Sequence, residues 1–198
     1  PSTIVNRGTL LGSDPAEALT VAAEVAVVNE GVLAVTAGGR LDIGGLTGPA
    51  GTLSIAAGGD VKLGGNYTLN QNVSVNGASL TLNGDWSNAA ALTATNATVN
   101  LGGEFTLADL GNFTRTAGAV NLTGTLVNTG GTLALNATTG SWNLAGGTLR
   151  GGRVTTVGGA ELLVPAQNAT LDGATLDGVM RFTAPFAGVN VVNGLTLN

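Results

Sequence analysis

The stretch that decides the fold is VKLGGNYTLNQNVSVNGASLTLNGDWSNAAALTATNATVNL, residues 61–101. It contains three copies of one pattern: an apolar residue, any residue, an apolar residue and then a glycine- or asparagine-containing turn. The copies are Val61-Lys62-Leu63, Leu80-Thr81-Leu82 and Val99-Asn100-Leu101, which begin 19 residues apart. A period this short indicates a unit that buries its apolar face only against its neighbours.

The same pattern continues on both sides of this stretch. Further copies begin at residues 19, 41, 120, 142, 162 and 180, so that nine copies are separated by steps of 18 to 22 residues. A second apolar triplet, such as Leu53-Ser54-Ile55 or Leu133-Ala134-Leu135, lies between successive copies. The sequence therefore predicts an all-β, single-stranded parallel β-helix with three short strands per coil and about nine coils of about 20 residues. Right-handed connections are the usual sense for such crossovers.

Alternation along these strands assigns the core. Since successive side chains point to opposite faces, the outer members of each triplet point inward, and Tyr67, Trp86 and Phe105 are expected to form an aromatic ladder. Corners are predicted at residues that tolerate positive φ, such as Gly44-Gly45, Gly64-Gly65 and Asn96.

Composition excludes several function classes. Charged residues make up 10% of the 198, and cysteine and histidine are absent, so thiol chemistry, serine–histidine triads and histidine or cysteine metal sites cannot be built. The net charge of −5, with only 7 basic residues, leaves no basic stripe for nucleic acid. No apolar run is long enough for a membrane-spanning helix. The chain starts at Pro1 without an initiator methionine, so we expect a processed protein or an excised piece.

Two segments fit the period poorly. Residues 1–18 lack it and are interpreted as an irregular or capping segment before a solenoid over 19–198. Ser13-Asp14-Pro15-Ala16-Glu17 resembles a capped helix start, with an irregular first coil as the alternative. Arg115 falls on an inward position, which predicts a shifted or bulged strand that places it at a corner near Glu104 or Asp109, because a buried unpaired charge is costly.

Small outward residues form the first candidate site. A column on the third strand of each coil is a candidate for binding a regular surface, such as a glycan array, or for lateral contacts; its members are Ser54, Ser74, Thr93, Thr114 and Thr155. The alternative, which we prefer, is a plain solvated strand surface, for which serine and threonine are equally suitable.

Acidic residues are the second candidate. Asp42, Asp60 and Lys62 fall within one coil of each other, and paired carboxylates are the requirement for glycoside hydrolysis. The alternative, which we prefer, is a solvated patch. The tandem Ala169-Thr170-Leu171-Asp172-Gly173 and Ala174-Thr175-Leu176-Asp177-Gly178 lacks the calcium-solenoid loop pattern and is interpreted as tandem turns. The sequence predicts no catalytic residues, no cofactor and no metal.

Several phrases resemble repeats of bacterial exoproteins, among them Gly-Gly-Thr-Leu-Arg-Gly-Gly-Arg-Val (146–154) and Asn-Gly-Leu-Thr-Leu-Asn (193–198). They are similar to the β-helical stalks of autotransporter passengers and filamentous-haemagglutinin-like adhesins, over roughly residues 19–198. The resemblance implies a secreted, surface-displayed, non-catalytic stalk or adhesin, with a host or environmental glycan or surface as partner.

Two alternatives remain beside the adhesin. One is a self-assembling extracellular filament protomer that stacks head to tail. Leu195 and Leu197 would form its stacking edge, since the apolar strand pattern still runs at Leu195-Thr196-Leu197. The other is a carbohydrate-active β-helix, a lyase or tailspike-like depolymerase; the constant coil length argues against the long loops that such sites use.

Overall fold

A computed structural model describes residues 2–198. The chain is an all-β parallel β-solenoid of about nine turns with about 21 residues per turn. This confirms the predicted fold class; the handedness stays a prediction. Strands account for 59% of the residues and helix for 2%.

The elements follow in chain order: β1 (Thr3–Asn6), β2 (Thr9–Gly12), β3 (Leu19–Val21), β4 (Ala26–Asn29), β5 (Val32–Val35), β6 (Arg40–Pro49), β7 (Thr52–Ile55), β8 (Asp60–Leu69), β9 (Val73–Asn76), β10 (Ser79–Leu82), β11 (Asp85–Asn88), β12 (Ala91–Thr95), β13 (Thr98–Leu101), β14 (Glu104–Phe105), α1 (Leu107–Leu110), β15 (Asn112–Thr116), β16 (Ala119–Leu122), β17 (Thr125–Val127), β18 (Thr132–Leu135), β19 (Trp142–Leu144), β20 (Thr148–Arg150), β21 (Arg153–Thr156), β22 (Leu162–Val164), β23 (Ala169–Asp177), β24 (Met180–Phe182) and β25 (Val189–Leu197).

The chain divides into two compact units. Unit 1 runs up to Val99 and includes Asp109–Gly118; unit 2 comprises Asn100–Ala108 and Ala119–Asn198. In unit 1 the ladders β1–β4, β6–β8, β8–β10 and β8–β11 are parallel, as are β2–β5–β7 and β9–β12–β15. In unit 2 the parallel ladders are β16–β19–β22–β24, β14–β17–β20–β23, β18–β21–β23 and β23–β25.

The core follows the predicted alternation. Both inward columns of the first strand are buried throughout; they are Leu41, Val61, Leu80, Val99, Val120, Trp142 and Leu162, with Ile43, Leu63, Leu82, Leu101, Leu122, Leu144 and Val164. Tyr67 and Trp86 are buried register partners in unit 1, and Phe105 is buried opposite Leu126 in unit 2. Burial of these side chains is as the sequence predicts, and the aromatic ladder is shown for Tyr67 and Trp86.

Two predicted corners lie inside strands that continue through them. Gly44, Gly45, Gly64 and Gly65 lie inside the ten-residue strands β6 and β8, where the pairing register shifts between Ile43 and Leu46. A shift of register turns the strand without ending it. Residues 169–177 likewise form one nine-residue strand, β23. Its register shifts between Asp172 and Ala174, and Gly173 and Gly178 have positive φ, so the chain turns at the predicted glycines although the strand does not end at Gly173.

The N-terminal segment is paired earlier than residue 19. Strands β1 and β2 pair in parallel with β4 and β5, so stacking begins at Thr3. Residues 13–18 are irregular and form no helix; instead, Asp14 Oδ1 accepts hydrogen bonds from the backbone N–H groups of Ala16 (2.7 Å) and Glu17 (3.2 Å).

The expected shift or bulge at Arg115 is also wrong. Strand β15 pairs with β12 in unbroken register, with Arg115 opposite the buried Ala94. The position is only half-buried because β15 is the last strand of its three-stranded sheet. Partial burial lowers the pKa of the Arg115 guanidinium, so the sequence places this charge on the inward face without a change of register.

Candidate functional site

Three of the five predicted small outward residues form one row. Ser74, Thr93 and Thr114 are register partners on β9, β12 and β15, and all three are exposed. The Thr114 hydroxyl donates to the Thr93 hydroxyl at 3.4 Å. Neighbouring strands lie about 4.8 Å apart, so the row presents hydroxyl groups at that spacing on a flat face.

The other two predicted members lie elsewhere. Ser54 is exposed on β7, opposite Ala34, in the separate sheet β2–β5–β7. Thr155 is half-buried on β21 of unit 2, between Ala134 and Asp177. The hydroxyl row therefore comprises Ser74, Thr93 and Thr114 alone.

The structure brings the acidic candidates together in a group with alternating charge. Asp42 lies opposite Lys62, and Arg40 lies opposite Asp60 at an N–O distance of 3.8 Å. Diagonal neighbours on a sheet are about 7–8 Å apart, which places the two carboxylates within reach of each other. Each acid is also opposite a cation, so the four charges compensate on the strand surface.

A shallow groove lies beside Asp60 in unit 1. It has a volume of about 370 Å³ and is lined by the corner residues Gly58, Gly77, Ser79, Asn96 and Thr98. Backbone hydrogen bonds between successive turns, such as Gly58 N–H to Gly77 O (2.7 Å) and Asn96 N–H to Thr116 O (2.9 Å), fix its floor.

Ion pairs between turns are a feature that sequence reasoning missed. Within residues 2–198, arginines pair with acids of other turns; the pairs are Arg7–Glu30 (2.8 Å), Arg40–Asp60 (3.8 Å), Arg150–Glu104 (3.1 Å) with Arg150–Asp172 (3.6 Å), Arg153–Asp177 and Arg181–Glu161. The available signal was an arginine and an acid separated by one coil length. These pairs are exposed on the arginine side, so each contributes little to stability by itself.

The predicted stacking edge is an open strand edge. Leu195 and Leu197 lie opposite the buried Ala174 and Leu176. Leu197 is 65% exposed and Val191 is 51% exposed, because β25 has β23 as its one strand neighbour among residues 2–198. Phe186 is also exposed, in the loop before β25.

A second open edge was not predicted. Strands β1 and β2 each have one strand neighbour within the described residues. Val5 and Leu11 on these strands are about half exposed. The signal that could have revealed it is the likeness between residues 3–10 and 190–197.

The fold and these surfaces define a β-helical repeat protein. No protein-family model, curated protein or solved structure matches the chain. Residues 2–198 hold no group of three or more acidic side chains arranged for a metal ion. In the same range, the structure has no helix of the length and apolarity needed to cross a membrane.

Proposed function

We propose that this chain is a non-catalytic structural and adhesive segment of a secreted bacterial β-solenoid that is displayed at the cell surface. The strongest support is the set of ion pairs between arginines and acids of different turns, on the outer surface of the coil. Charged side chains committed to pairing between turns reinforce a scaffold, and the hydroxyl row of Ser74, Thr93 and Thr114 supplies a regular surface for contact.

Adhesion is assigned to that row because it is flat, exposed and uncharged. A polar surface of evenly spaced hydroxyl groups suits repeated hydrogen bonding to a glycan array or another ordered surface. The extracellular location follows from the resemblance to exoprotein stalks and from the absence of cysteine, which that class shares.

The test is binding of the purified 198-residue chain to glycan arrays and to host or environmental surfaces. The variant Thr93→Lys/Thr114→Lys should lose binding, since two ammonium groups interrupt the row. Thr47→Lys is the matched control, because Thr47 is an exposed threonine on β6, outside the row. Binding that is unaffected by the double substitution would contradict the assignment of the row.

A catalytic role is the competing proposal, and the proximity of Asp42 and Asp60 is the observation that favours it. A panel of polysaccharides would be incubated with the wild-type chain and with Asp42→Asn and Asp60→Asn. We expect no turnover by any of the three proteins. Turnover that either substitution abolishes would overturn the non-catalytic proposal.

A further inference from the structure

One motif occurs at three places in the chain. Residues 3–10 read TIVNRGTL, residues 26–33 read AVVNEGVL and residues 190–197 read NVVNGLTL. The first and third segments share Val5 with Val192, Asn6 with Asn193, Thr9 with Thr196 and Leu10 with Leu197. The first two copies each span a strand, a corner and the start of the next strand, whereas the third lies within β25, where the pairing register shifts between Val192 and Leu195.

The first two copies already stack on each other in unit 1. Ile4 pairs with Val27, Val5 with Val28 and Leu10 with Leu33. The Asn6 side-chain amide donates to Asn29 Oδ1 at 2.6 Å, and Arg7 pairs with Glu30 at 2.8 Å. Like-on-like stacking of this motif is therefore a contact that the protein uses.

The first and third copies are the ones at open edges, and neither carries a charge in its strands. The strands β1, β2 and β25 contain no Asp, Glu, Lys or Arg. Val5 is 47% exposed and Val192 is 45% exposed. Proteins usually protect open edges with charge, proline or a bulge. Strand β25 has one register irregularity, between Val192 and Leu195, but no charge or proline, and β1 and β2 pair in unbroken register without either. Two uncharged edges with the same motif are suited to pair.

Backbone polarity on β1 and β2 fits such pairing. Asn6 O accepts from Glu30 N–H (2.8 Å), and Gly12 O accepts from Thr36 N–H (3.1 Å). Because peptide groups alternate sides along a strand, the backbone groups of Val5 and Leu11 point to the open edge.

The backbone groups at the open edge of β25 are complementary to those at the open edge of β1 and β2. Asn198 N–H donates to Leu176 O (3.0 Å) and Gly188 N–H donates to Ala166 O (3.2 Å), so the same alternation turns the backbone of Leu197 and Val191 to the open edge. A parallel partner in the motif register would donate Val5 N–H to Val191 O and Leu11 N–H to Leu197 O.

We propose that a second copy of this chain adds its β1 and β2 to the open edge of β25, with Ile4 opposite Val191 and Leu10 opposite Leu197. This inference rests on the proposed structural role and names the partner of the predicted stacking edge. The contact joins two different surfaces, so it is heterologous and builds an open chain or a ring.

The test is sedimentation velocity of the 198-residue chain from micromolar to millimolar concentration, with electron microscopy of the concentrated samples. Position 5 lies opposite position 192 in the proposed register. Val5→Lys/Val192→Lys should therefore weaken association at least roughly tenfold, because it places like charges in contact. Val5→Glu/Val192→Lys places opposite charges there and should associate clearly better than the double lysine variant. Thr47→Lys, on the outer face of β6, should associate like the wild type.

Circular dichroism and the thermal midpoint of each variant verify that the fold is retained, since all three positions are outward. A chain that stays monomeric throughout, or association that is equal in the two double variants, overturns the inference. Neither of these two results would contradict the proposed scaffold and adhesive role. That role is tested with the same protein by the surface-binding and turnover assays.

Discussion

Asn6 donates a 2.6 Å hydrogen bond from its side-chain amide to the side-chain oxygen of Asn29, 23 residues later. The Asn29 amide in turn donates to the Ala50 carbonyl at 2.6 Å. Both asparagines are buried. The bonds tie successive turns of unit 1 together at the corner between the second and third strands of the coil, where backbone groups cannot all pair within a sheet.

We expect Asn29→Leu to reduce the free energy of unfolding by about 2–3 kcal/mol, because it leaves the Asn6 amide and the Ala50 carbonyl buried without these partners. Asn190→Leu, on the exposed outer side of β25, is the control and should change stability by about 0.5 kcal/mol or less. Urea denaturation of both variants measures the difference. Equal midpoints would show that the corner bonds contribute nothing.

Register in unit 2 is tested at two adjacent positions. Leu101 is fully buried, whereas Asn100 points outward and accepts a 2.7 Å hydrogen bond from Asn121. Leu101→Asp should cost several kcal/mol, since a carboxylate would enter an apolar core. Asn100→Asp keeps the acceptor oxygen and should stay within about 0.5 kcal/mol. Equal losses in a denaturant titration would contradict the inward and outward assignment.

The inward columns could be predicted from the sequence because strand alternation and a constant coil length act together. A residue such as Leu82 can point only inward or outward, so its burial follows from alternation and spacing. The edge positions of Val5 and Leu11 cannot be predicted from apolar–any–apolar triplets, because residues 3–12 depart from that spacing.

Strand ends and pairings between side chains were harder to predict. Whether Gly44-Gly45 ends a strand or only shifts its register depends on where the previous turn lies, which local sequence does not record. The split of the predicted five-residue face falls between β7 and β9 and again after β15, at breaks between sheets that the local sequence does not mark. Arg115 stayed in register because an edge strand exposes an inward side chain, and edge position is a property of the assembled sheet.

The pair Glu161–Arg181 predicts that part of the stability of the fold is lost at acidic pH. Hydrogen bonding from Arg181, including Nε to Oε2 at 2.7 Å, lowers the pKa of the Glu161 carboxyl below its ordinary value. A lowered folded-state pKa gives a stabilisation that is present above the unfolded-state pKa and is lost as the pH falls through the folded-state pKa. NMR titration should find Glu161 ionising at lower pH than in Arg181→Gln. The same titration midpoint in both proteins would contradict the pairing.

Gly48 and Gly84 have nearly the same backbone conformation. Substitutions at these two positions therefore distinguish the cost of backbone strain from the cost of a close approach between turns. Gly48 has φ +75° and Gly84 has φ +81°. A Cβ at Gly48 meets nothing within 4 Å, whereas a Cβ at Gly84 would lie 2.2 Å from the Gly65 carbonyl oxygen. Gly48→Ala should therefore cost only the left-handed strain of about 1 kcal/mol.

Gly84→Ala should cost about 2–4 kcal/mol, because the strain is joined by a backbone clash that displaces the neighbouring turn. Thermal and urea denaturation of both variants provides the comparison within unit 1. If the two substitutions cost the same, the approach of Gly84 to Gly65 is not a determinant of how these turns pack. A larger cost at position 84, retained in a Gly48→Ala background, would show that the turn-to-turn distance itself requires glycine there.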